Sequence, residues 1–440
     1  MNKYNFSKTS WPFHIVQKRR RSRKYSIVKT PVHIKSTPSA SSCEFGARRA
    51  LDSENALYYL HAKEAEMYLL TRSNRFADIT TEYFDKYFEE WEEVLKRAVH
   101  EVSLQKIEFQ LGKIKIRIFR PRTREEQQEI ESLVRDPDFS RLAGSPYFRH
   151  RLMVNRIYAN YFDMLNDMGN YRLYSKRIME DFEAHPEQIA RNPVSYLGSI
   201  RGFVNSLMTV EFQGDAYLYI QKIKSFCSNY LIKNPKSEQI RYFFQICFIL
   251  EFELYMDVLD FDRAEVLIPQ LIDSLGNIRR KDDLVVVHFN LSRFYFFKSE
   301  YRTAKVWMEQ SFRIPGLEES EDLSAYVRIL YLIVHYEMGH QDMLESVVRS
   351  TYRFLLKRKR LFKIESVFLD FIRRDLPRLI TPDQVRKSFI RLKNEIQEVC
   401  RDPFEARALD YFDFISWLDS KITGKPFLDI LRGKAKKPMD

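Results

Sequence analysis

Apolar residues in the middle of this chain recur three and four positions apart, in blocks separated by short polar stretches. In "LVVVHFNLSRFYF" the recurring positions are Leu284, Val287, His288, Leu291, Phe294 and Tyr295. That spacing gathers them on one side of an α-helix, which a neighbour must cover. The next phrase, "YRTAKVWMEQSF", keeps the period through Tyr301, Ala304, Met308, Ser311 and Phe312, and Pro315-Gly316 stops it. Small Ala304 and Ser311 let a preceding helix approach closely, while Tyr301 and Met308 fill the space beside them. The two phrases therefore predict an antiparallel helical hairpin. Such a hairpin leaves apolar surface uncovered, so copies must stack.

Further copies are visible. Residues 156–178 laid over 201–223 share Arg156 with Arg201, Asn160 with Asn205, Gly169 with Gly214, Leu173 with Leu218, Tyr174 with Tyr219 and Ile178 with Ile223. One offset across two helices is what a duplicated hairpin leaves behind. Turn-like phrases centred on Tyr171, Ala216, Phe261, Tyr301 and Gln341 continue the series at steps of 45, 45, 40 and 40 residues. Prolines 146, 186, 193, 235, 315 and 403 fall at links between hairpins, whereas Pro269 sits inside "AEVLIPQLI" and predicts a kink. Thr381 and Pro382 open a helix that closes one more hairpin with the segment before it. Upstream, residues 44–100 predict two amphipathic helices. Residues 104–119 fit either a helix or two short strands around Gly112-Lys113, and the helical surroundings favour the helix.

The 288–315 unit resembles a tetratricopeptide repeat, with Leu291, Tyr295, Ala304 and Pro315 near that family's signature spacing. His288, Ser292 and Met308 replace its tryptophan, glycine and aromatic residue, and the period is longer. The resemblance covers residues 146–360. It implies an all-α, right-handed superhelical solenoid of antiparallel hairpins whose first helices line an inner groove. In such arrays Asn amides hold a peptide's main chain and Arg pairs with its carboxylates. Arg156, Asn160, Arg201, Asn205, Asn290 and Arg293 are the candidate groove residues here. Asn is a poor helix former, so its recurrence needs a reason. The same residues could instead hydrogen-bond between adjacent hairpins and hold the stack together.

Composition narrows the function. Only 12 Gly accompany 45% apolar residues, which disfavours all-β folds and glycine-loop nucleotide sites. No phosphate loop, GxSxG or HExxH occurs, so no enzyme and no cofactor is expected. His335, Glu337 and His340 in "HYEMGH" are the nearest metal-like cluster, but their spacing suits packed or capping histidines better. The acid run Glu89–Glu93 reads as a solvated helix face, and the basic run Lys357–Lys363 as a solvated linker or a seat for phosphate or an acidic peptide. Four scattered cysteines suit a reducing compartment. The apolar helices carry Gln245, Glu251 and Glu253, so no membrane span is expected.

Ten of the twelve net positive charges lie in residues 1–43, which leaves the other 397 residues almost neutral. The arm reads as a disordered tail, an organellar or nuclear targeting segment, a nucleic-acid-binding patch, or upstream sequence from a misjudged start. The expected organisation is a disordered basic arm over 1–43, a helical cap region over 44–145 and the solenoid with its capping helices over 146–440. The expected function is a cytoplasmic scaffold for a protein or peptide partner. Nucleic-acid binding through residues 1–43 is the alternative, and the oligomeric state is left open.

Overall fold

A computed structural model describes residues 46–47, 55–73, 76–135, 139, 142, 144–208, 210–276, 278, 281–315, 317 and 320–435. Every regular element among them is helical. Three helices come first: α1 (Ala56–Leu70), α2 (Thr81–Arg117) and α3 (Arg124–Val134). The array then runs as α4 (Phe148–Met164) with α5 (Met168–Ala184), a short α6 (Pro186–Arg191), and α7 (Pro193–Ser206) with α8 (Gln213–Lys233). It continues as α9 (Glu238–Asp257) with α10 (Phe261–Leu275), α11 (Lys281–Phe297) with α12 (Tyr301–Phe312), and α13 (Glu321–Glu337) with α14 (Gln341–Lys357). The C-terminal part holds α15 (Lys363–Asp370), α16 (Pro382–Val399), α17 (Pro403–Ala406), α18 (Phe414–Thr423) and α19 (Phe427–Ala435).

The chain is a divergent tetratricopeptide-like helical repeat. Partners within each hairpin pack against one another, and α7, α9 and α11, first helices of successive hairpins, also pack side by side. One apolar core runs from Phe148 to Phe427. The pairing expected in the 284–312 unit is present, with Leu291, Ala304, Met308 and Ser311 wholly buried. The array ends in an aromatic cap, where Trp417 meets Tyr336, Phe368 and Phe389 edge-on.

Four of the five hairpin turns share one device. The first helix ends on a residue with left-handed backbone, at Asn166, Leu259, Ser299 and Gly339. The next amide then donates back to the carbonyl five residues earlier: Asp167 to Phe162, Asp260 to Tyr255, Glu300 to Tyr295 and His340 to His335. This is a Schellman closure, and the residue that donates the bond also caps the second helix. Three of the four left-handed residues are not glycine. The phrases centred on Phe261, Tyr301 and Gln341 are therefore the first turns of second helices rather than the turns themselves.

Other expectations resolve as follows. Residues 104–117 are helical, and they continue the preceding helix, so that α2 is a single element of 37 residues. Helix α10 runs through Pro269 without a break in its assignment. Thr381 caps α16 in a full capping box with Gln384. Residues 1–43 lie outside the described residues, together with every role considered for that arm. No described helix is long and apolar enough to cross a membrane.

Candidate functional site

Between α2 and α3 the chain leaves helical structure and bends at Phe119 and Arg120, and Phe119-Arg120-Pro121-Arg122 forms a strap. The Arg120 guanidinium bonds the Asp163 main-chain carbonyl and lies 3.4 Å from its carboxylate, at the end of α4. It also lies 3.8 Å from Asp410. The amides of Phe119 and Arg120 donate to Asp322, in the first turn of α13, at 2.8 and 3.4 Å. One arginine thus touches the first and the fifth hairpins. An array whose distant members meet across one residue, through its side chain on one side and its amide on the other, must curve, and the strap lies on its inner face.

Arg122 carries the densest set of contacts. Its guanidinium is bidentate to Glu365 at 2.8 and 3.3 Å, donates to the Tyr326 hydroxyl at 2.8 Å and to the Phe404 carbonyl at 3.0 Å, and reaches Glu405 at 3.4 Å. The Phe362 ring lies under it at 4.3 Å. Arg360 stacks on the same ring, pairs with Asp322 and reaches Glu126 at 2.5 Å. Burial works against the charge on Arg122, but Tyr326, Glu365 and Glu405 together hold its pKa above the usual value. Glu365 is shifted up by burial, with Arg122 opposing the shift. The C-terminal segment closes over the strap, with Tyr411 stacked on Tyr326 at 3.6 Å and donating to Asp322 at 3.1 Å. At Arg360 the basic run is a buried ion-pair centre rather than a solvated linker.

The six candidate groove residues all lie on first helices, and they link neighbours. Arg156 donates to Glu108 of α2 at 2.9 Å. Asn160 accepts from Lys115 at 2.9 Å and donates to the Arg156 carbonyl. Arg201 reaches the Tyr242 hydroxyl at 3.2 Å and Asp283 at 3.0 Å, and Tyr242 itself bonds Asp283, so one network crosses α7, α9 and α11. Asn205 is exposed and faces Tyr171 of α5. Asn290 donates to Glu253 at 2.8 Å. Arg293 lies over Phe289 and Phe297 and faces Asp257. Burial in the array, then the Asp257 charge, pushes Glu253 up to about 7.

Open space remains at the N-terminal end of this face. A cleft of about 510 Å³ lies between α2, α4 and the α6–α7 link, lined by Glu108, Phe109, Leu152, Arg156, Asn192 and Ser195 among others. An adjoining cavity of about 290 Å³ shares Arg156 and Ser195 with it and extends over Asn160, Tyr171, Gly198 and Gly202. A methyl group added at Gly202 would meet nothing within 4 Å, so the missing side chain leaves this part of the wall open. Together the two volumes fall in the range of ligand sites. Of the metal-like cluster, Glu337 accepts from Trp417 and Lys421, each at 2.6 Å, while His335 and His340 face each other at 3.3 Å.

The strap and the cleft both escaped the sequence reading. An Arg-Pro-Arg segment at the end of a long amphipathic helix was their only advance signal. No family model matches this sequence, and no curated protein matches it. Among solved structures, it is similar to a Rap protein complexed with competence and sporulation factor, at 8% identity and TM-score 0.46, over 91% of this chain and 100% of that one. It is also similar to the apo form of RapI, at 11% identity and TM-score 0.42, over 88% and 99% of the two chains. At that distance neither likeness carries function.

Proposed function

We propose that the protein is a non-catalytic interaction scaffold that seats a peptide or helix from a partner on its inner face. The seat is the open cleft beside Arg156, Asn160, Arg201 and Asn205, and it continues along the face towards Asn290 and Arg293. The observation that carries this reading is the strap. A non-helical segment of the chain is already held on this face through main-chain amides, guanidinium–carboxylate pairs and a ring beneath a cation. The same chemistry suits an extended peptide supplied from outside. The cleft offers both charge signs, unengaged depth at Gly202, and apolar walls at Leu152 and Met153.

A displayed library of random peptides, panned against the protein, supplies the probe. Gly202→Leu projects a side chain into the cavity and replaces a poor helix former inside α7. Selected peptides should bind the natural protein and lose affinity for this variant, whose melting temperature should not fall. Undiminished binding by a well-folded Gly202→Leu protein would remove the cleft as the seat.

A further inference from the structure

Helix α2 has two distinct faces. One is buried, with Val94 and Ala98 against Ala56 and Tyr59 of α1, and Leu104, Leu111 and Ile114 in the cluster built around α4. The other carries Phe88, Leu95, Val102, Phe109 and Ile116, spaced seven residues apart and each between 45% and 57% exposed. Single exposed apolar residues are ordinary on protein surfaces. Five at a strict heptad interval over four heptads form one apolar column of a helix-pairing face.

The second column of that face is also ordered. Three residues before each apolar position stand Asp85, Glu92, Val99, Lys106 and Lys113, all exposed. Their charges run minus, minus, neutral, plus, plus, antisymmetric about Val99. The helix as a whole repeats the pattern: residues 81–101 hold seven acids and three bases, and residues 102–117 hold four bases and one acid. Acids near a helix start and bases near its end also suit the helix dipole. The dipole does not, however, place apolar residues on the solvent face, nor register charges at seven-residue steps beside them.

We infer that α2 pairs with α2 of a second copy of this chain, in antiparallel orientation about a two-fold axis near Val99. In that arrangement Asp85 meets the second copy's Lys113, and Glu92 meets the second copy's Lys106. Each pair occurs twice by symmetry. The apolar column spans about 42 Å of helix. A parallel pairing would place acid on acid and lysine on lysine, so the charge column selects both the partner and its direction. The self-complementary charge pattern is the reason for choosing a second copy over an unrelated helix.

Sedimentation equilibrium of the full chain tests this, and should show a concentration-dependent monomer–dimer equilibrium. Lys106→Glu with Lys113→Glu makes the column acidic throughout and should weaken the dimer at least about tenfold, since four attractive pairs become repulsive. Asp85→Lys with Glu92→Lys makes the column basic and should do the same. Mixing the two variants should restore association, and all four changes in one chain should restore the homodimer. Thermal unfolding followed by circular dichroism checks that each variant is folded. A natural chain that stays monomeric at every concentration overturns the inference. So does a dimer that is indifferent to charge reversal.

Discussion

Arg122 offers the sharpest test of the strap. Replacing it with Met keeps the aliphatic stem over Phe362 but removes the charge between Glu365, Glu405 and Tyr326. Glu405 still accepts from the amides of Lys363 and Ile364 at 3.1 and 3.2 Å. Glu365 is only 3% exposed and would keep neither oxygen's arginine partner. Breaking a buried pair in this way costs about 3–5 kcal/mol, because the remaining carboxylate must stay charged without a partner or take up a proton. The loss should therefore be smaller in acid, where Glu365 is protonated. Arg122→Met with Glu365→Leu removes both charges and should recover most of the loss. Urea unfolding followed by circular dichroism, run as a double-mutant cycle, measures the coupling directly. A single variant that loses less than about 1 kcal/mol, or a cycle with no coupling, would show that the strap is not fastened as described.

Three further outcomes follow from the same geometry. Glu253 stays protonated in the fold up to about pH 7 but ionises near 4.5 when unfolded, so the fold loses stability as pH rises through that window. Glu253→Gln should stabilise the fold at pH 8 by about 1–2 kcal/mol, allowing for the partial exposure of the residue and read as a raised melting temperature, and should change little at pH 4. Lys359 is exposed and holds a left-handed backbone with φ of 57°; Lys359→Gly should stabilise the chain by about 0.5–1 kcal/mol in chemical denaturation. Ala304 is fully buried where α11 approaches α12; Ala304→Leu should cost about 1–3 kcal/mol or more, read as a lowered urea midpoint.

The repeat was legible because burial of one helix face leaves a periodic trace. Leu291, Ala304, Met308 and Ser311 could be placed from spacing alone, and Thr381-Pro382 announced a capped helix start. The turns were less legible. Among the four hairpin turns that close this way, glycine marks the left-handed residue only at Gly339, while Asn166, Leu259 and Ser299 adopt the same backbone without that signal. Array packing overrides their local cost. The recurrence of Arg and Asn at one offset singled out Arg156, Asn160, Arg201 and Asn205 as candidates. Their partners were not, because Arg201 with Asp283, Arg122 with Glu365 and Arg120 with Asp410 join positions far apart in sequence. Pairing of buried charges across a superhelix leaves no local pattern. The length of α2 was missed for another reason: its second half also alternates like two strands, which split one helix into two readings.

The most direct test of the inner-face seat is site-specific photo-crosslinking to a peptide selected on the natural protein. A photoreactive residue is placed at Asn205, at Arg293, or at Ile232 on α8, which is 79% exposed. Crosslinks from positions 205 and 293, with none from 232, are the predicted result. Crosslinking from 232 with silence at the two inner positions would contradict the account.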